Sequence, residues 1–517
     1  MGQIKNMGNP KKIARQNKWI FSFLVTSFVL AMTVSPLYTS NQNSYFYHGL
    51  ANAGFGYLNA DSFYNTADST RLFSLVVEIL MKLHLEPSFY LLHACLLGLY
   101  FKVSFSISQQ ISGVAKSVGN KLLIGLVLIG IHSAAFGFVS ETAFEINLST
   151  LLYWGVAEQY LINPELQPSS FGVFCLLSIF LYTKKRIKTS IAILVLSGYL
   201  HASLLIVGLL IALAFSSHEI WRKKSNKTAI LILVTFALLT MPALAWNYLV
   251  FKPENQEYLE VSREILINFR MPHHALISHW FGIDTVIKIA LSVLAAYLSR
   301  KNVYGFILFS LLLMTIVLTF IQFISGNSTL ALIFPWRVSV VIMPIVLAVL
   351  LGSLIRLIPS KPLPLFAKIP RYSHIVVLII AFIALSGMSY TYVKLQNYTK
   401  QPHYQAMRYV VENLENHNLY LIPPSLDNFR LATGAPIFVD KKTHPYKATE
   451  VIDWYSRYML AKEIFSRDGT ANCELLQNTI ETNDITHVLV PTDLPMSDCK
   501  IGDVAYASAT YNVVSVP

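Results

Sequence analysis

Long apolar runs recur along the first 395 residues and alternate with short polar segments, a pattern that predicts a polytopic membrane protein. A transmembrane helix needs ~20 predominantly apolar residues. The clearest runs of this length are 19–39, 228–251, 303–324, 337–358 and 373–395. Shorter or weaker runs lie at 88–107, 121–140, 169–183, 191–215 and 285–299. The pattern therefore predicts an all-α membrane domain over residues 1–395.

One of the weaker runs is flanked by two basic clusters, "KKRIK" and "RKKSNK". A single helix across the bilayer would place these clusters on opposite sides. Two short helices, 191–197 and 202–215, joined by "GYLH" at 198–201, keep both clusters on one side. Each arm is shorter than a full crossing, so the turn would lie within the membrane and face protein or a water-filled cavity. With this hairpin the sequence predicts about eleven membrane helices, and His201 at the turn becomes a candidate substrate-binding residue.

The polar segments between the runs fall into two sets of opposite charge. One set carries 22 Lys and Arg against a single nearby acid, Glu219, counted over 1–18, 102–121, 184–188, 222–227, 300–301 and 356–371. The alternate set carries 13 acids and 6 basic residues, counted over 40–87, 141–168, 251–284 and 325–337. By the positive-inside rule the N-terminus is cytoplasmic and everything after Leu395 is external.

Composition agrees with this class of protein. A mean hydropathy of +0.50, with 54% hydrophobic and 13% charged residues, excludes an ordinary soluble protein. The formal net charge of +12 follows from the topology, so it requires no nucleic-acid partner. The lipid bilayer is the partner that the sequence predicts.

After Leu395 the apolar runs become short and alternate with helical patterns, which predicts a small extracytoplasmic α/β domain over 396–517. The expected strands are 419–423, 436–439, 486–491 and 511–516, and the expected helices are 403–416 and 448–465. Cys473 and Cys499 are the two cysteines of this domain. An oxidising compartment would permit a disulfide between them.

Chemically versatile residues concentrate in the segments predicted to be external. The loop 40–87 carries His48, Asp61 and Asp68; the segment 140–172 carries Glu141, Glu145 and Glu158; the segment 268–280 carries Arg270, His273, His274 and His279; and "FPWRVS" carries Arg337. A further basic cluster at 429–447 contains Arg430, Lys441, Lys442, His444 and Lys447, and we expect it to lie over the membrane site. Carboxylates, imidazoles and guanidiniums on facing loops suit a site that binds phosphate and removes a proton.

Simpler interpretations fit the same residues. An aspartate in such a loop commonly caps a helix, which applies to both Asp61 and Asp68. Arg337 at the end of a span could extend to the lipid head groups. The histidine spacing matches no standard zinc site, so a structural role is open for these residues. No Asp-x-Asp motif is present either, so the sequence predicts no cofactor and indicates no metal site, with a divalent metal left open.

The combination resembles the GT-C superfamily of glycosyltransferases, through the acidic helical first loop, the pair of short membrane helices and the external α/β domain. The segments "NSYFYHGLANAGFGYLNADSF", "QPSSFGVF", "FRMPHH", "PWR" and "NFRLATGAPIFVDKKTHPYKATEVIDWYSR" look like a family of bacterial membrane proteins of this architecture. The resemblance implies a bacterial plasma-membrane enzyme that transfers a sugar from a polyprenyl-phosphate donor to an envelope glycan, lipid or protein.

The resemblance also implies roles for particular residues. Asp61 matches the carboxylate that acts as general base. His48 lies on the same loop, where it could orient that carboxylate or the sugar. The loop lacks an adjacent Asp-Glu pair, so the choice between Asp61 and Asp68 is open. The expected substrate-binding residues are Glu141, His201, Arg270, His273, His274, Arg337, Arg430 and Lys442.

Two other functions remain open at this point, a transporter or flippase of a lipid-linked or polar substrate, and a non-catalytic envelope-assembly protein. Charges deep inside spans would favour transport. Most charges here lie at the external ends of spans, which favours surface chemistry, although Lys288 lies inside a predicted span. A closed cavity that opens to lipid would indicate a transferase, and two alternating gates would indicate transport.

Overall fold

The computed structural model describes residues 10–113, 118–357, 369–466, 472–494 and 499–517. Parts of the predicted basic segments, at 1–9, 114–117 and 358–368, lie outside the described residues.

Helices dominate the described part of the chain. The longer ones are α1 Pro10–Ala31, α2 Arg71–Lys82, α3 Ser88–Ser112, α4 Val118–His132, α5 Ala134–Phe144, α6 Val173–Thr183, α7 Ile187–Leu200, α8 Ser203–Lys223, α9 Asn226–Phe251, α10 Gln256–Glu264, α11 Ile283–Leu298, α12 Val303–Ser325, α13 Ser339–Leu357, α14 Ile369–Tyr398, α15 Tyr404–Glu412, α16 Ala448–Ile464 and α17 Cys473–Thr482. Single turns and short helices connect them at Gln42–Tyr45, Tyr47–Asn52, Leu58–Ala60, Ser62–Asn65, Leu148–Tyr153, Pro168–Gly172, Ile265–Arg270, Pro272–Ala275, Ile277–Trp280, Ser328–Ile333, Pro335–Val338 and Phe429–Thr433.

Six helical segments of the described residues are long and apolar enough to cross a bilayer, which makes a multi-pass membrane protein. They are Ser88–Ser112, Ser203–Lys223, Asn226–Phe251, Val303–Ser325, Ser328–Leu357 and His374–Tyr398. A seventh is formed if α4 and α5, which meet at a bend of 61°, count as one span. The predicted count of eleven is not confirmed, because several predicted spans form helices too short for a full crossing at ~1.5 Å per residue. Those shorter apolar helices are Lys18–Ala31, Pro168–Thr183 and Ile187–Leu200.

The predicted break at 198–201 is confirmed. Helix α7 ends at Leu200, His201 adopts an extended backbone, and α8 begins at Ser203. The two arms are unequal, however. Helix α8 has 21 residues and can cross a bilayer alone, whereas α7 has 14. The turn lies at the same end of the membrane domain as the C-terminus of α9 and the N-terminus of α13, which we call the outer end.

The C-terminal region contains a four-stranded sheet in the order β1-β2-β4-β3. The strands are β1 Tyr420–Leu421, β2 His487–Pro491, β3 Asp503–Ala507 and β4 Tyr511–Ser515. Strands β1 and β2 are parallel, and the other two pairs are antiparallel. The predicted strand at 436–439 is reduced to one bridge between Ile437 and Tyr420, and the sequence patterns did not predict β3 or α17. The disulfide between Cys473 and Cys499 is confirmed, with a Cα–Cα distance of 5.4 Å.

The first loop and the C-terminal region pack closely on each other. Gly56 and Gly434 both have positive φ, and a Cβ on Gly56 would lie 2.3 Å from the Gly434 carbonyl oxygen. That oxygen accepts a hydrogen bond from the Tyr57 backbone N–H at 2.9 Å. Ser44 Oγ donates to the Lys442 carbonyl at 2.9 Å. The segment 429–447 is therefore in contact with the loop containing Asp61, as its predicted position over the membrane site requires, and that position stays a prediction.

Candidate functional site

A cavity of ≈ 490 Å³ lies between the outer end of the membrane domain and the segments that cover it. This volume is within the ~300–1,000 Å³ range of ligand pockets. The cavity wall combines the first loop, the α7–α8 turn, the end of α9, the segment 266–274 and the start of α13 with part of 429–447. Six of the predicted site residues line it: His201, Arg270, His273, His274, Arg337 and Lys442.

Arg337 lies at the N-terminal end of α13, in the 3₁₀ turn Pro335–Val338. Its Nε is buried without a hydrogen-bond partner in the described part of the chain, and its Nη1 lies 3.5 Å from Gln159 Oε1, the outer limit of a hydrogen bond. Among the described residues no carboxylate forms an ion pair with it. The part of the side chain that remains accessible faces the cavity. A fixed cation without a carboxylate partner among the described residues is suited to an anionic ligand.

Two further cations are joined through a histidine. Arg270 Nε donates to His444 Nδ1 at 3.0 Å, and Arg270 Nη2 donates to the Lys442 carbonyl at 3.1 Å. His444 Nδ1 also lies 3.1 Å from the Lys442 carbonyl oxygen, a contact that needs the opposite proton position on Nδ1, and Nε2 is buried without a partner among the described residues. Burial lowers the pKa of His444 well below its usual value, and Arg270 lowers it further. His444 is therefore a neutral imidazole beside two cations.

The other histidines of the wall add hydrogen-bonding groups. His274 Nδ1 donates to the Ala157 carbonyl at 2.8 Å, so its Nε2 is left as an acceptor. Burial, followed by repulsion from His273 and Arg337, lowers the pKa of His274 to about 3. His201 Nδ1 accepts from the Ser203 backbone N–H at 3.2 Å. At neutral pH the positive charge of the cavity thus comes mainly from Arg270, Arg337 and Lys442.

Asp61 and Arg430 lie outside the cavity wall, in a buried ion cluster. Arg430 Nε is 2.9 Å from Asp61 Oδ2, and Arg430 Nη1 is 2.8 Å from Asp440 Oδ2. The side chains are at most 3% exposed, and the charges are in contact without linear N–H···O geometry. Asp61 Oδ1 accepts from the Phe63 N–H at 2.8 Å, and Oδ2 accepts from the Ile437 N–H at 2.9 Å. The role of Asp61 as general base stays a prediction, and these contacts give it a structural role.

The remaining predicted residues are also not in the cavity wall. Asp68 Oδ1 accepts from the Thr70 backbone N–H at 2.8 Å, a turn contact just before α2. His48 Nε2 donates to the Thr66 carbonyl at 3.1 Å, and burial lowers the pKa of this histidine. Glu141 is exposed on α5. These three residues do not line the cavity, although Ser69 and Thr70, which follow Asp68, do.

Glu158 is the one acid among the described residues that line the cavity, and its side chain is exposed there. Sequence analysis placed Glu158 among the acids of 140–172 without selecting it as a site residue. The sequence showed that Glu158 lies in a segment with several acidic and no basic residues. The residues around Glu158 did not distinguish it from Glu141 or Glu145. Tyr45, Tyr160 and Tyr446 also line the cavity, and as aromatic residues near a membrane they gave no separate signal.

No group of three or more His, Cys, Asp or Glu side chains is arranged to hold a metal ion within the described residues. The chemistry that the cavity offers is therefore that of cations, neutral imidazoles and one carboxylate.

Comparison with known families gives one partial match. A model described as a domain of unknown function, DUF6798, matches residues 401–461. No curated protein matches the sequence significantly. The matched segment runs from α15 into α16 and includes both Arg430 of the ion cluster and Lys442, His444 and Tyr446 of the cavity wall. The chain is thus similar to this family in the segment that closes the cavity over the membrane domain.

Proposed function

We propose that the protein is a membrane glycosyltransferase of GT-C type that takes a sugar from a polyprenyl-phosphate donor. The observation that carries the proposal is the cavity at the outer end, where Arg337, Arg270 and Lys442 surround an open volume. Cations fixed by the protein suit a phosphate group, and guanidinium groups can bind it bidentately. The acceptor is a hydroxyl of an envelope glycan, lipid or protein.

The donor phosphate would lie against these cations. As the bond between the sugar C1 and the phosphate oxygen breaks, negative charge accumulates on the leaving polyprenyl phosphate. Preorganised donors stabilise such charge strongly where water is excluded. Burial, followed by the neighbouring Arg270, lowers the pKa of Lys442, and a phosphate would offset that repulsion.

The position of the cavity favours this reaction over transport. Its lining residues belong to the outer ends of spans and to the segments that cover them. Lys288, the charge that sequence analysis placed inside a span, donates to the Gly155 carbonyl at 3.0 Å and pairs with Asp284 at 3.4 Å. These two contacts explain the charge of Lys288 inside a span, so this residue is no evidence for a path that carries an ion across the membrane.

Turnover is tested by incubating the purified full-length protein in lipid nanodiscs with a panel of radiolabelled polyprenyl-phosphate sugars. We expect release of polyprenyl phosphate with at least one sugar. The matched variants are Lys442→Met, whose side chain lines the cavity, and Lys441→Met, whose neighbouring side chain is exposed outside it. Only Lys442→Met should weaken turnover. Failure of the wild type to consume any donor, or movement of intact donor across vesicle membranes, would contradict the proposal.

We also propose that the outer end faces the extracytoplasmic side of the bacterial plasma membrane. Supporting observations are the positive-inside bias and the Cys473–Cys499 disulfide, which an oxidising compartment permits. Alkaline phosphatase fused after Pro517 should be active in bacterial cells, whereas a fusion within the basic segment after Lys223 should be inactive. The reverse pattern would invert the topology.

A further inference from the structure

The turn "GVAEQ" at 155–159 has an unusual backbone at the cavity wall. Ala157 has φ +59° and Glu158 has φ +54°, so two consecutive non-glycine residues adopt the left-handed conformation. This conformation is unfavourable for a residue with a Cβ, which lies too close to the following carbonyl oxygen. Strain of this kind persists where the surrounding structure imposes it, and it is concentrated at functional sites.

Three separate parts of the chain hold this turn. Lys288 Nζ of α11 donates to the Gly155 carbonyl at 3.0 Å, and Ser339 Oγ of α13 accepts from the Val156 N–H at 2.8 Å. His274 donates to the Ala157 carbonyl at 2.8 Å. Within the turn, the Gly155 N–H donates to the Gln159 carbonyl at 2.7 Å. Each of these hydrogen bonds is made by a backbone group of the turn, and none involves the Glu158 side chain.

The backbone of Glu158 is therefore held in place, while its side-chain carboxylate is left open. Glu158 is exposed to the cavity, where it is the one acid among the described wall residues. No ion pair or hydrogen bond involves its side chain within the parts of the chain that the structure describes. A first-loop carboxylate, Asp61, is by contrast fully engaged by Arg430 and by two backbone N–H groups.

We infer that Glu158 is the catalytic residue that takes the proton from the acceptor hydroxyl, an inference that rests on the proposed glycosyl transfer. The acceptor O–H proton moves to the Glu158 carboxylate, and the acceptor oxygen forms a bond to the sugar C1. The C1–O bond to phosphate breaks, and its electron pair leaves with the polyprenyl phosphate. Lys288 and His274 act as positioning residues through the turn.

The test compares three variants of the full-length protein in nanodiscs: Glu158→Gln, Glu158→Ala and the control Glu145→Gln. Glu145 belongs to the same acid-rich segment, is exposed, and does not line the cavity. We expect Glu158→Gln to reduce transfer by at least ~100-fold, since a positioned general base contributes ~10²–10⁴-fold. In Glu158→Gln the affinity for donor and the melting temperature should stay near those of the wild type. The control Glu145→Gln should transfer sugar at the wild-type rate.

Formate added to Glu158→Ala should restore part of the transfer, because a small carboxylate can occupy the vacated space, and formate should not stimulate Glu145→Gln. Near-normal transfer by Glu158→Gln, with an active wild type, would overturn the assignment of Glu158 and leave the proposed function standing. Loss of transfer in Glu158→Ala without formate rescue, accompanied by a lower melting temperature, would make Glu158 structural. A wild type that consumes no donor would overturn both proposals.

Discussion

Replacing Arg430 with methionine should destabilise the protein by ~3–5 kcal/mol, the usual cost of removing one partner from a buried ion cluster. Arg430 contacts both Asp61 and Asp440, and its removal would leave two buried carboxylates without a counter-ion. These contacts join the first loop to the C-terminal domain, so their loss should release that domain from the membrane domain. Thermal unfolding in detergent and limited proteolysis of residues 396–517 would measure the two effects.

The matched control is Arg408→Met. Arg408 also belongs to the C-terminal region and forms an ion pair with Glu412, but its side chain is 72% exposed. Exposed ion pairs contribute little to stability because solvent screens them, so this variant should unfold close to wild type. If Arg430→Met melts like Arg408→Met, the buried cluster does not hold the two regions together.

Asp61→Asn separates the two roles of Asp61. If Asp61 is the general base, as the resemblance implies, the variant should fold normally and transfer at least ~100-fold more slowly. If Asp61 chiefly neutralises Arg430, the variant should lose stability, since the introduced amide keeps an acceptor for the Phe63 N–H but removes the charge. Melting temperature and transfer, measured together with Glu158→Gln, identify which carboxylate is the base.

Sequence patterns predicted the features of this fold that depend on local chemistry. Apolar runs and basic clusters indicated the membrane helices and the break before Ser203, because span length and loop charge are local properties. The basic residues of 429–447 predicted a position over the membrane site, and the contact of this segment with the first loop agrees with that position. The helix count was less predictable, since an apolar run does not show where a helix bends or ends within it, as the break at Ser133 between α4 and α5 illustrates.

The identity of the cavity carboxylate could not be predicted, because it depends on contacts between distant parts of the chain. Asp61 and Glu158 are both acids in polar segments. What distinguishes them is that the Ile437 N–H, 376 residues away, bonds to Asp61. The segment 436–438 pairs with Tyr420 through the Pro436 carbonyl and the Phe438 N–H, and the Ile437 N–H, which faces away from that pairing, bonds to Asp61. Glu158 is exposed instead because Lys288, Ser339 and His274 hold its turn.

Replacing Arg337 with methionine should have the opposite effect on stability from Arg430→Met, raising the melting temperature of the ligand-free protein while removing donor binding. Arg430 has two carboxylate partners, whereas Arg337 has none within the described residues and its Nε is buried without a partner there. Replacing a poorly compensated charge with an apolar side chain of similar size can stabilise a protein by roughly 1–4 kcal/mol. Part of the Arg337 side chain is open to the cavity, so we expect a gain at the low end of this range, about 1 kcal/mol.

The same substitution should weaken binding of a polyprenyl-phosphate sugar by ~100-fold, since truncating one partner of a desolvated charge pair costs ~2–5 kcal/mol. The measurement is the rise in melting temperature on adding donor, which should be present in the wild type and absent in Arg337→Met. Arg356→Met is the control, because Arg356 is exposed at the other end of α13. A fall in the melting temperature of ligand-free Arg337→Met would make this arginine structural. A cation without a carboxylate partner contributes to function only where an anion binds it. If adding donor still raises the melting temperature of Arg337→Met, the phosphate therefore binds elsewhere in the cavity.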